Sequence, residues 1–287
     1  MKEVQPTFKD KYYSFMNKVA LEGGSWRNIY VVGIILVGIV IGVFITNWSG
    51  VVISDPRTWT EIGFFITAYC LGVPCVVFLA NREGTLGNIL GILSNIGEML
   101  IFWYFGTMGM VFAGAYFGLT HLIGLVRWND DKFKDESGKV KIGTMKKEQT
   151  IFTGIFIVVG LILLVFFGGV FGFVQGAGTL GLLIWLGNLL TFVISVTAQF
   201  LMIIGLKESW TFWFSSNFIN FFLNLTSGNI WFMARDVLYQ VNAWLAMYDW
   251  NIRAYYAKIE EGEKDVKVPA GVRVLEWNKK LDKLGVK

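Results

Sequence analysis

Trp210, Trp213, Asn217, Asn220 and Asn224 follow one another at steps of three and four residues, so on a helix all five share one face. Tryptophans beside amides suit a flat aromatic ring that carries hydroxyl or amide substituents. A cationic ring stacked on indole gains about 0.5–2 kcal/mol per face. Amides donate to and accept from hydroxyls without the desolvation cost of a full charge. Three further polar stripes follow, the first and the last at the same spacing. Asn188, Thr191, Ser195 and Gln199 form one; Trp231, Asp236, Tyr239, Gln240 and Asn242 form another, with Arg235 beside them; Asn88, Gly91, Asn95, Glu98 and Phe102 form the last. Glu98 and Asp236 are acids set well inside apolar segments. Taken singly, buried amides and hydroxyls join membrane helices at about 0.6 kcal/mol each. Tryptophans also populate interfacial belts, which suits Trp26, Trp48, Trp128, Trp250 and Trp277. Neither account explains why amides, tryptophans and two carboxylates converge on two stretches of chain. The stripes predict a site for binding and release, lined by Trp210, Trp213, Asn217, Asn220, Asn224, Gln199, Trp231, Asp236, Tyr239, Gln240, Asn88, Asn95 and Glu98.

Covalent chemistry finds little support beside them. His121 is the single histidine, with no acid near it on its own helix, so it reads as a packing residue. A histidine-rich metal site and a Ser-His-Asp triad are thereby disfavoured. Cys70 and Cys75 stand too far apart on one helix to bridge. No glycine run of the Walker or Rossmann kind occurs, and no metal or cofactor is expected. The net charge of +4 does not call for nucleic acid, because the basic residues serve as topological signals and contacts to anionic membrane lipids.

The elements that must position the stripes are membrane spans. Hydrophobic residues make up 54% of the chain and charged residues 16%. Apolar runs long enough for a bilayer about 30 Å thick recur near 30–48, 59–80, 86–104, 108–127, 151–173, 179–205, 210–226 and 229–248. Once these eight helices are drawn, all but two of the 25 Lys and Arg residues fall on one side; Arg57 lies opposite and Arg235 inside a span. The positive-inside rule then puts both termini in the cytoplasm of a multi-pass inner-membrane protein. Nothing at the N-terminus reads as a cleavable signal, since the first apolar run begins near Ile29.

The chain divides into a cytoplasmic amphipathic segment (1–29), an extra membrane helix with its loop (30–57), a three-helix unit (58–127), a polar cytoplasmic linker (128–149), a linking helix (150–178), a second three-helix unit (179–251) and a cytoplasmic tail (252–287). Within 1–29, aromatic and basic groups alternate at helical spacing around Phe8–Val19, as in a segment lying on the membrane surface. Laying residues 88–129 on 210–251 without a gap matches Ser94 with Ser216, Asn95 with Asn217, Gly106 with Gly228, Trp128 with Trp250 and Asn129 with Asn251. The two units enter the membrane from the same side. The expected fold is therefore an all-α integral membrane protein of eight transmembrane helices: one extra N-terminal helix, then a 3+1+3 parallel repeat about an axis along the membrane normal, as in SWEET transporters.

The run Trp210-x-x-Trp213-x-x-x-Asn217, the block Asn88-Ile-Leu-Gly91-Ile-Leu-Ser94-Asn95 and the 3+1+3 order together resemble the PnuC family of vitamin transporters, over roughly 58–251. The resemblance implies facilitated diffusion of nicotinamide riboside, trapped inside by a cytoplasmic kinase, and a homo-oligomer, expected to be a trimer. It places Trp210, Trp213, Asn217 and Asn220 in the substrate cavity. Thiamin or riboflavin carriers of the same family are the nearest alternative, and a proton-coupled carrier would use Glu98 or Asp236. From another class, an integral membrane enzyme acting on lipid would need acid pairs, for which Asp130 and Asp131 in a Lys-rich loop are weak candidates.

Overall fold

A computed structural model describes residues 7–21, 33, 62–104, 108–226 and 230–283. The extra span at 30–48, Gly33 apart, and the opposite-side loops with Arg57, Gly106 and Gly228 lie outside the described residues. Among those described, the chain is helical: α1 (Phe8–Met16), α2 (Ile62–Ala80), α3 (Gly84–Tyr104), α4 (Met108–Asn129), α5 (Lys147–Phe167), α6 (Gly178–Ile203), α7 (Ser209–Thr226), α8 (Ile230–Glu260) and α9 (Ala270–Lys283). Five stretches are long and apolar enough to cross a membrane: α2, α3, α4 from Met110, α5 extended to Phe171, and α6. The helices α7 and α8 carry the polar stripes, which dilute their apolar character.

Pro74 explains an irregularity in α2. It lacks an N–H and crowds the carbonyl four residues back. The chain relieves this by running as a π-helix over Phe65–Gly72 before turning α-helical from Val73. The helices α2, α3 and α4 pack in sequence, as do α6, α7 and α8, and the two groups meet where α4 touches α6 and α8 touches α2. By contrast α5 packs mainly on α6. Its outer face leaves Phe152, Ile155, Val159 and Phe166 exposed, as a lipid-facing surface requires.

The ends bearing the basic loops are fastened crosswise. The Trp128 Nε1 at the end of α4 donates to the Ile203 carbonyl at 2.9 Å, and the Trp250 Nε1 of α8 donates to the Ala80 carbonyl at 3.0 Å. Those carbonyls close α6 and α2, where the last turn has no intrahelical donor. Each neighbouring asparagine repeats the pattern: Asn129 accepts from Thr85 at 2.7 Å, and Asn251 accepts from Lys207 at 2.8 Å.

The connection between α4 and α5 is a folded segment as well as a polar one. Val140 and Ile142 point into the core beside Trp128, Trp250 and Met202, while Lys139 and Lys141 point out to Glu83 and Glu261. This alternation is the period of a strand. Arg82 takes a left-handed conformation with φ 63°, is buried, and donates to Asp135 and to the Val140 carbonyl. Burial alone would raise Asp135, but hydrogen bonds from Ser137 and Arg82 and the Arg82 charge bring its carboxyl down to about 2. Beyond it, the Gly143 N–H donates to the Gly205 carbonyl at 2.9 Å, the Gly143 carbonyl accepts from the Lys207 N–H at 3.1 Å, and the Met145 N–H donates to Glu208 at 3.1 Å.

The N-terminal segment joins the opposite terminus. Thr7 and Asp10 form a capping box for α1, and Met16 and Ala20 pack against Leu245 of α8. Asn17 then bridges, donating to the Gly271 carbonyl at the start of α9 and accepting from the Tyr248 hydroxyl. Past the membrane-length portion, α8 continues to Glu260, further than the apolar pattern to 248 predicts.

Candidate substrate cavity

A cavity of about 480 Å³ opens between α2, α3, α4, α6, α7 and α8, within the roughly 300–1,000 Å³ usual for small-molecule sites. The α7 stripe supplies one wall: Trp210, Trp213, Asn217, Asn220 and Asn224 all line it, as their spacing predicts. Trp210 is buried edge-on against Trp250, with 5.5 Å between ring centres, and its Nε1 has no hydrogen-bond partner among the described residues. Trp213 faces Phe117 of α4 at 6.3 Å. Among the described residues the amides of Asn217 and Asn220 have no hydrogen-bond partner either, although both line the cavity.

The far wall holds the charges. Asp236, 1% exposed, accepts from Asn224 at 2.6 Å and from Arg235 at 3.2 Å. The Arg235 guanidinium also faces Glu98 at 3.8 Å and lies over the Phe232 and Tyr239 rings. Glu98, Asp236 and Tyr239 therefore line the cavity together, with Asn95 and Gln199. Three predicted residues do not join that lining. Asn88 sits one layer behind, bonded to His121. Gln240 is half-buried outside it, its Oε1 enclosed and unpartnered among the described residues. The side chain of Trp231 lies outside the described residues.

His121 is the residue the sequence reading misses. It lines the cavity, buried, with Nδ1 3.0 Å from Asn88 Oδ1 and Nε2 3.4 Å from Gln199 Nε2. Gly91 makes that placement possible, since a Cβ there would stand 2.5 Å from the imidazole ring. A lone histidine on an apolar face gives no pattern, and the Gly91 that admits it lies on another helix. The serines behave as helix-joining groups: the Ser195 and Ser216 hydroxyls meet at 2.6 Å between α6 and α7, and Ser94 donates to the Thr67 carbonyl at 2.8 Å.

No group of three or more His, Cys, Asp or Glu residues able to hold a metal occurs among the described residues. Stacking rings, unpaired amides and an ion-paired wall suit the binding of a flat polar solute.

The comparisons with known proteins agree. The solved structure titled "Crystal structure of the Vitamin B3 transporter PnuC" superposes with a TM-score of 0.60 at 18% identity, covering 80% of this chain and 92% of that one, which establishes a shared fold. No curated protein matches the sequence significantly. The family model described as "Nicotinamide mononucleotide transporter" matches residues 59–252, which span every helix that lines the cavity. The chain therefore belongs to the nicotinamide mononucleotide transporter family, the PnuC family of multi-pass membrane transporters.

Proposed function

We propose that this protein carries nicotinamide riboside across the inner membrane by facilitated diffusion, and that a cytoplasmic kinase traps the product. The observation that carries this reading is the pair of amides, Asn217 and Asn220, left without protein partners beside the Trp213–Phe117 rings. Inside a membrane such amides are costly unless water or a ligand meets them. A pyridinium ring stacked against the Trp213 indole, with ribose hydroxyls on the amides, would satisfy both.

Charge favours the nucleoside over its phosphate ester. Among the described lining residues Arg235 is the basic one, and Glu98 and Asp236 both face it. Two carboxylates against one guanidinium suit a cationic solute and leave no spare cation for a phosphate. The vitamin B3 transporter of shared fold supports a nicotinamide-bearing solute, whereas the family's name is that of the phosphate ester, against which the charge of this cavity argues.

Transport would proceed by rocking the unit α2–α4 against α6–α8, with α5 as the link, around a site held between them. In the proposed orientation both termini and the α4–α5 connection face the cytoplasm, and the assembled form is a trimer. Calorimetry on purified protein tests the solute. Nicotinamide riboside should bind, and its 5′-phosphate should bind about ten-fold or more weakly, the least that one misplaced charge costs. Tighter binding of the phosphate, of thiamin or of riboflavin would overturn the assignment.

A further inference from the structure

The cavity's uncharged end has hydrogen-bond roles fixed one by one. Asn88 Nδ2 donates to the Gly84 carbonyl at 2.7 Å, so its Oδ1 is the atom that meets His121, and it accepts from Nδ1–H at 3.0 Å. The imidazole is thereby held with its proton on Nδ1 and a bare Nε2. Gln199, 2% exposed, donates from Nε2 to the Thr120 hydroxyl at 3.1 Å, and that hydroxyl in turn donates to the Phe117 carbonyl at 2.7 Å. The second Nε2 proton of Gln199 faces the bare His121 Nε2 at 3.4 Å. Both Gln199 Nε2 protons are thus engaged, and its carbonyl oxygen, Oε1, stays outside the network. Packing keeps the arrangement from turning over. A Cβ on Gly91 would meet His121 at 2.5 Å, and one on Gly124 would meet Asn88 Oδ1 at 2.5 Å. Trp210 lines the same cavity, and its buried Nε1 is a donor without an acceptor among the described residues.

We infer that Asn88, His121 and Thr120 are positioning residues that fix Gln199 as an acceptor, so that the cavity selects a pyridine nucleoside bearing a carboxamide and rejects the same nucleoside bearing a carboxylate. A carboxamide brings an NH₂ donor for Gln199 Oε1 and a carbonyl oxygen for Trp210 Nε1. A carboxylate has only acceptors, and it would set an anionic oxygen against Gln199 Oε1. Sites that fix a hydrogen-bond role discriminate far more sharply than apolar pockets do, because the mismatch leaves buried groups unpaired. This inference rests on the nucleoside reading above and adds the chemical form of the ring substituent.

The test is calorimetry on full-length protein with nicotinamide riboside and nicotinic acid riboside, reading the ratio of the two affinities. Wild type should prefer the carboxamide by about ten- to hundred-fold. Gln199→Leu should bring the ratio close to one, and Asn88→Leu, which unlocks the histidine, should lower it several-fold. Trp213→Phe should weaken both ligands alike and leave the ratio unchanged, which separates selectivity from general damage to the site. If Gln199→Leu does not fold, Gln199→Asn, which withdraws the amide by one methylene, carries the same expectation. Equal affinities in wild type overturn the inference and leave the nucleoside reading standing. A preference that survives loss of Gln199 overturns it too, by placing the discrimination elsewhere. Binding of neither ligand removes the nucleoside reading itself, and the inference with it.

Discussion

At the ends of α2 and α6 the two helical units do the same thing, with Trp250 closing one helix and Trp128 the other, 2.9–3.0 Å from the final carbonyls. Inside the cavity they part. Laying 88–129 on 210–251 puts Gly91 opposite Trp213 and His121 opposite Ala243. One unit takes its ring from the last helix, His121 over Gly91, and the other takes it from the middle helix, with Trp213 against the cluster that holds Ala243. Ring and small residue have changed places. Glu98 likewise stands where the other unit has Asn220. Positions that fix helix ends tolerate only groups able to satisfy orphan carbonyls, whereas positions facing a solute are free to differ. Two units of like helix order thus give an asymmetric cavity, with Glu98 and an imidazole from one and the tryptophans, amides and Arg235–Asp236 pair from the other.

The largest effect should follow from undoing the exchange of ring and small residue. Gly91→Val forces a side chain into the His121 ring and should cost about 1–3 kcal/mol of packing, enough to abolish uptake. The double variant with His121→Ala should recover folded protein in detergent. Normal uptake in Gly91→Val would show that the histidine has room to spare. Next comes the opposite wall. Trp213→Ala should weaken nucleoside binding by about 1–2 kcal/mol, roughly ten-fold, and Trp213→Phe by less. Asn217→Leu should lose more than its unchanged bulk suggests, because the hydroxyls lose their partner. Unaltered affinity in both Trp213→Ala and Asn217→Leu would move the site elsewhere.

The equivalence of the helix ends predicts a smaller and matched pair of effects. Trp128→Phe and Trp250→Phe each remove one buried hydrogen bond, worth about 0.5–1.5 kcal/mol, and thermal unfolding should show similar losses. A large inequality would break the comparison at the point where the units agree best. The smallest effect belongs to the α4–α5 connection, which grips Arg82 after α2 and Gly205–Glu208 after α6. Asp135 has a carboxyl pulled from 3.8 to about 2, so its contribution to stability is complete above the unfolded value and disappears as pH falls through about 2. Asp135→Asn should therefore lower the melting temperature at pH 6, and the difference from wild type should vanish towards pH 2. A difference that persists there would mean that the ion pair with Arg82 is not what Asp135 contributes.

Five of the eight expected spans and the α7 face were legible in the sequence because both follow from simple patterns: apolar runs mark the bilayer, and steps of three and four gather Trp210 to Asn224 on one side. The same rule overreached at Asn88 and Gln240, since a helical face is wide enough to be shared between a cavity and a neighbouring helix. Asn88 spends its amide on Gly84 and His121 instead. His121 was invisible because its partners come from α3 and α6, far off in sequence. The folded α4–α5 connection did leave a signal, the alternation Lys139-Val140-Lys141-Ile142, which its overall polarity masked.

Transport without an ion gradient is the central claim. Glu98 and Asp236 are the candidate titratable carriers, and Arg235 engages both, which suits a fixed electrostatic role. Purified protein in liposomes should equilibrate labelled nicotinamide riboside with no proton or sodium gradient, and should accumulate label only when a nicotinamide riboside kinase and ATP are enclosed. Concentrative uptake that follows an imposed proton gradient, and disappears in Glu98→Gln or Asp236→Asn, would contradict the account.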